Sequence, residues 1–120
     1  MQSSLLSLPQ RAPDYAIFGT EALAPTAETV LATTPALQNL LNGWVLVSAR
    51  IASDDSVPDF EVAVNNGSED VSVLLINGSE TPGHFTFWMQ ATNGQYVLIR
   101  NKTAGSSAKY YQAALNIWRY

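Results

Sequence analysis

Cysteine is missing from this chain altogether. That excludes disulfides, thiolate nucleophiles and Cys-ligated zinc together, and it fits a reducing compartment. Histidine occurs once, as His84, so no pair of histidines can hold a metal and any triad would rest on this one residue. Its place after "TPG", at the start of a strand pattern, suits a hydrogen-bonded loop-edge histidine better than a catalytic base. Charge is sparse as well. Asp, Glu, Lys and Arg make up 13% of the chain, about half the usual share, so polarity falls to Ser, Thr, Asn and Gln. With six basic residues and a net charge of −4, nucleic acid is not an expected partner. No apolar run approaches the ~18 residues needed to cross a bilayer. The opening "MQSSLLSLPQR" has no basic residue ahead of its short apolar patch, so it does not read as a secretion signal. A soluble protein made without an export step, and without a membrane partner, is the expectation. Walker and dinucleotide-binding fingerprints are missing too, and no cofactor, metal or catalytic residue is assigned.

What remains is a chain of 120 residues, enough for one domain that buries roughly two-thirds of its extended surface without staples. Four of its six prolines fall in residues 1–35, where neither helical nor strand periodicity is sustained. Small apolar clusters interrupt that stretch: Leu5, Leu6 and Leu8, then Tyr15, Ile17 and Phe18. A structureless segment of this length is usually functional or disordered, yet disorder does not normally carry so many large apolar groups. The expectation is an extended N-terminal arm over residues 1–35, anchored on its own surface or a partner's, followed by a β-domain over 36–120. "TPALQNLLNG" predicts one short helix at 36–42, with Thr34 as cap, Pro35 at the first position and Gly43 as terminator.

From Trp44 the period becomes two. Val45, Val47, Ala49 and Ile51 alternate with Leu46, Ser48 and Arg50; Phe60, Val62 and Val64 alternate with Asp59, Glu61 and Ala63. "VSVLLI" is apolar on both faces at its end, as a central strand would be. "HFTFWMQ", "QYVLIRN" and "KYYQAALNIWRY" complete about six antiparallel strands, an all-β sandwich or small barrel. The sequence NGSE occurs twice, at 66–69 and 77–80, and Asn-Gly recurs at 93–94. Asn-Gly favours positive φ in tight hairpin turns, so the repeat reads as punctuation between strands. The same letters match the glycosylation pattern at Asn66, Asn77 and Asn101, a short pattern that is common by chance. An acidic group, Asp54, Asp55, Asp59 and Glu61, lacks calcium-loop spacing, and Asp59 and Glu61 are expected on the solvent face of their strand.

Two features point outward. Residues 1–80 carry two basic and ten acidic groups, whereas residues 81–120 carry four basic groups and no acid. These either interleave in the fold or form a polar axis suited to a partner. The last strands are also apolar or aromatic on both faces, with Trp88, Tyr110 and Trp118 on the side away from their aliphatic neighbours. Either the chain covers that face itself, or it is an interface, where Trp and Tyr dominate binding energy. A platform for sugar rings is a third use of such aromatics.

A small β-domain low in charge, free of Cys, rich in Thr, Asn and Ser and led by an extended arm resembles the accessory virion proteins of tailed bacteriophages. The resemblance is to the capsid decoration or cement type, and it lies in layout alone. It implies a non-enzymatic structural protein of the virion, made in the host cytoplasm. Such a protein would bind the major capsid protein or another virion protein and form a homo-oligomer, a trimer foremost. Under this expectation the partner-binding residues are Leu5, Leu6, Leu8, Tyr15, Ile17, Phe18, Trp88, Tyr110 and Trp118. The alternative is a carbohydrate-binding β-sandwich module, with a glycan as partner.

Overall fold

The computed structural model describes residues 8–21, 29–53, 59–76, 83–102 and 111–120. Within them the chain is all-β, with eight strands: β1 (Tyr15–Glu21), β2 (Thr29–Thr33), β3 (Trp44–Ser53), β4 (Phe60–Asn65), β5 (Asp70–Ile76), β6 (His84–Gln90), β7 (Tyr96–Asn101) and β8 (Tyr111–Arg119). They form two antiparallel sheets, β1-β8-β3-β6 and β2-β7-β4-β5. Alternation supplies the core. Val45, Val47 and Ala49 of β3 face inward beside Met89, Phe87 and Phe85 of β6 and opposite Leu115 and Ile117 of β8. Phe60, Val62, Val97 and Ile99 come from the second sheet to meet them, and Tyr111 sits edge-on to Phe60 at 6.2 Å between ring centroids. Among the described residues, no helix is long and apolar enough to cross a membrane.

Eight strands replace the expected six, and the two extra ones lie in the segment expected to be an arm. In β1, Tyr15 and Ile17 pack against the core and pair with Ile117 and Leu115. The third inward position is Gly19, which hides the alternation from a hydrophobicity reading. Strand β2 is concealed differently. A bulge between Val30 and Ala32 breaks its period, so that Leu31 and Ala32 are buried in succession.

The expected helix at 36–42 is not formed. Leu37 is fully buried, and its backbone groups bond across to the turn before β7: its N–H to the Gln95 carbonyl at 2.7 Å, its carbonyl to the Gly94 N–H at 2.8 Å. The Thr34 hydroxyl accepts from the Val97 N–H instead of capping. Asn39 adopts φ 61°, which no helix tolerates, and Leu41 is 88% exposed. Local helix signals lost to pairing with a strand end.

The Asn-Gly turns also differ from the two-residue hairpins expected. Between β4 and β5, residues Asn66–Glu69 make a four-residue loop in which the Asn66 side chain accepts from the Ser68 and Glu69 N–H groups. Asn93-Gly94 joins strands of different sheets, with the Gln95 N–H bonded to the Thr92 carbonyl and φ 94° only at Gly94, as in a type II turn. Asn77-Gly78 lies outside the described residues.

One further expectation changes. The segment within "VSVLLI" is not central but the edge strand β5, and Val71, Val73 and Leu75 are exposed on it. The two ends of the sandwich are therefore unlike. At the β1–β2 end the sheets pinch together so closely that a Cβ on Gly19 would lie 1.6 Å from the Leu31 carbonyl oxygen. At the β5–β6 end they stand apart.

Candidate functional site

The β5–β6 opening is a groove of about 420 Å³, lined by Trp44, Val64, Val71, Val73, Trp88 and Met89. Sequence logic places these side chains. Val71 pairs with Val64 and so leans toward the interior, while Val73 is the extra residue where the register slips between Val62 and Ala63. Beyond the groove, Leu75 stands beside Glu61 on the outer face and is 66% exposed. No described strand pairs with the outer side of β5, and an edge bordered by three large aliphatics, with no Lys or Pro on the strand, departs from the way soluble proteins usually guard their edges. Among the described residues, the protective device seen on it is the bulge.

Next to this edge lies the outer face of the first sheet, where Trp88, Leu46 and Trp118 form one cross-strand row. Residues 8–14 are laced over one end of it. The Asp14 N–H donates to the Ile117 carbonyl at 2.8 Å, the Trp118 indole donates to the Arg11 carbonyl at 2.9 Å, and Arg11 reaches the Arg119 carbonyl at 2.7 Å. Trp118 is thereby buried, and Leu46 with it. Trp88 stays 45% exposed and meets Tyr120 edge-on at 4.8 Å, with the Arg11 guanidinium 5.4 Å from the Tyr120 ring centre.

The expected partner-binding residues thus divide. Leu8, Phe18 and Trp88 are exposed; Tyr15 and Ile17 are half-buried against the core, and Trp118 is buried. Tyr15, Ile17 and Trp118 thus present less surface than Leu8, Phe18 and Trp88. Leu5, Leu6 and Tyr110 lie outside the described residues, as do Asp54 and Asp55. Tyr120 and the aliphatics of β5 were not among the residues expected to bind a partner. The signal for the latter was present in a strand apolar on both faces, which fits an unpaired edge as well as a centre.

On the same outer face, farther from Trp88, the Ser48 hydroxyl and His84 Nε2 are 2.8 Å apart, and Thr86 Oγ1 is 3.4 Å from the same nitrogen. A Ser–His contact invites comparison with a hydrolase. A serine nucleophile, however, needs access and nearby N–H groups free to hold an oxyanion. Ser48 is 2% exposed and sits mid-strand, paired with Thr86 on one side and Asn116 on the other. The contact orients the ring. Among the described residues, no group of three or more His, Cys, Asp or Glu could hold a metal ion.

Acidic and basic residues interleave. Arg100 on β7 bonds Glu61 on β4 at 2.7 Å and also Asp70 at the start of β5. Arg119 and Arg11 converge on Asp14. Glu61 is on the outer face, as its parity predicts, but only 7% exposed because Arg100 lies against it. Hydrogen bonds from Asn65 and Arg100 hold the Asp70 carboxyl below its ordinary range. For Asp14, burial opposes the charged form, yet the Arg119 N–H and the Arg11 and Arg119 guanidiniums outweigh it, and its pKa is also lowered. Among the described residues, Arg100 and Arg119 of the basic portion thus pair with Glu61, Asp70 and Asp14 of the acidic one.

Neither protein-family profiles nor curated protein sequences yield a match to this chain.

Proposed function

We propose that this protein is a non-enzymatic structural subunit of a multimeric assembly, joined to its neighbours along the β5–β6 edge. The observation that carries the reading is the unguarded apolar edge, where Val71 and Val73 line an open groove with Trp44 and Trp88 while Leu75 stands free beside it. Burying one large aliphatic side chain stabilises a contact by roughly 1.5–3 kcal/mol, and a neighbouring strand would satisfy the edge's free N–H and carbonyl groups as well. The occupant that fits is an extended segment of another subunit, added as a fifth strand with alternate side chains entering the groove. A capsid decoration protein of a tailed phage is the specific form we favour, on its resemblance in layout. The N-terminal segment is assigned a lesser part in that attachment, because Tyr15 and Ile17 already serve the core.

The test is sedimentation velocity over a concentration series, with Val71→Lys/Val73→Lys beside the unaltered chain, and mass spectrometry of purified particles from the source. Association that the double variant abolishes without lowering the melting midpoint, or presence in particles, supports the reading. A protein monomeric throughout and absent from particles overturns it.

A further inference from the structure

The outer face of the first sheet holds a second groove, of about 580 Å³, which shares no lining residue with the β5–β6 edge. One cross-strand row builds it: Phe18 on β1, Ala114 on β8, Arg50 on β3 and His84 on β6, each directly opposite the next. Ala52 and Gln112 form the adjoining row. The alanines make a low floor, and the large side chains rise on either side of it.

Arg50 is unlike the other arginines. Arg11 and Arg119 bind Asp14, and Arg100 binds Glu61 and Asp70, whereas Arg50 has no carboxylate partner among the described residues. In a chain with net charge −4 and an excess of acid, a guanidinium without a carboxylate partner among the described residues is notable. Across the floor from it, Phe18 is 67% exposed. Neighbouring strands lie about 4.8 Å apart, so Phe18 and Arg50, separated by β8, stand roughly 10 Å apart. That gap admits one six-membered ring with van der Waals contact on both sides.

We infer that this groove binds a carboxylate-bearing sugar, with its ring against Phe18 and its carboxylate on Arg50. A single planar guanidinium suits a two-oxygen carboxylate, which it can grip with two parallel N–H bonds; a phosphate group would call for more positive charge than one arginine brings. The Gln112 amide, in the row next to Ala114, flanks the ring position and provides a polar contact for hydroxyls, while the His84 ring, held in orientation by Ser48 and Thr86, stands beyond Arg50. The apolar face of a pyranose meets an aromatic ring without needing a closed pocket, which fits a groove open along its length. This site is independent of assembly along β5, and either proposal can fail without the other.

The experiment is an amide NMR titration of the full chain with glucuronate, glucose, acetate and inorganic phosphate at equal concentrations. Glucuronate is expected to shift the amide resonances of Phe18, Arg50, Gln112 and Ala114 in a saturable way, and glucose to bind ~10-fold more weakly, the usual loss with one charge-assisted hydrogen-bonded pair. Arg50→Gln should erase that preference, and Phe18→Ala should weaken both sugars; both side chains are exposed, and melting curves confirm that the variants fold. A galacturonate oligomer that binds more tightly than the monomer upholds the site with a polysaccharide as its source, and equal binding upholds it with a free or terminal sugar acid. Failure of glucuronate to saturate, equal shifts from acetate or phosphate, or an Arg50→Gln variant with unchanged preference each overturns the assignment.

Discussion

Two glycines of this chain do opposite work, and substitution separates them. Gly94 holds φ 94° in the turn between the sheets, with open space where a Cβ would go. Its requirement is conformational: a β-branched residue resists positive φ, so Gly94→Val is expected to cost about 1–2 kcal/mol. Gly19 has no such torsional demand, but the Leu31 carbonyl oxygen occupies the position of its missing side chain. Because the obstruction is backbone, one sheet must move, and Gly19→Ala is expected to cost about 3 kcal/mol, the upper part of the overpacking range. Chemical denaturation of the two variants checks the order. A smaller loss for Gly19→Ala than for Gly94→Val would mean that the sheets do not pinch at β1 and β2. Gly94 was legible beforehand, since Asn-Gly announces a turn. Gly19 was not, because only the approach of a second sheet gives it meaning.

At the level of elements, β1 carries the largest revision. Read as an arm, residues 1–20 should be dispensable to folding. As a strand, β1 pairs with β8 over seven positions from Tyr15–Ile117 to Glu21–Tyr111 and brings Tyr15 and Ile17 to the core. Deleting residues 1–20 is therefore expected to lower the melting midpoint sharply or yield an aggregating chain, because β8 becomes an exposed edge. Tyr15→Ala, a milder change, removes core contacts and the hydroxyl that accepts from the Gln38 N–H at 3.0 Å, at a cost of about 2–3 kcal/mol for a half-buried ring. A truncated chain that melts like the full one would restore the arm. The strands from β3 onward could be read because their inward positions are uniformly large and apolar: Val45, Val47, Phe60, Val62, Phe85, Phe87. Those in residues 1–35 could not, since a glycine and a bulge each break the period on which such a reading rests. Residues 36–42 failed for the converse reason. Their proline, leucines and glycine satisfy helix rules locally, while the hydrogen bonds of Leu37 to Gln95 and Gly94 settle the matter through contacts more than fifty residues away. The Arg50–Phe18 groove was beyond reach in the same way, since β8 must first come between β1 and β3.

At the scale of the whole molecule, ion pairs among the described residues join the acidic portion of the sequence to the basic one, and this predicts how acid unfolds it. Asp14 clamps the segment before β1 to the end of β8 through Arg119, and Asp70 clamps the edge strand β5 to β7 through Arg100. Both carboxyls have folded-state pKa values below the ordinary 3.8. The folded state then holds fewer protons than the unfolded state as the pH approaches that value. Their stabilisation is complete well above the unfolded pKa and is lost as the pH falls through the lower, folded values. The melting midpoint should accordingly change little between neutral pH and about 5, then fall steeply below about 4. Both groups are partly exposed, so salt should weaken the effect without removing it. Asp14→Asn/Asp70→Asn is expected to lower the midpoint at neutral pH and flatten the acid limb, so that the variant and the unaltered chain converge near pH 2. Tryptophan fluorescence read beside circular dichroism separates the clamps, since Trp118 lies under the Asp14 side and donates its indole proton to Arg11. An acid limb equally steep in the double variant would place the proton uptake on other carboxylates.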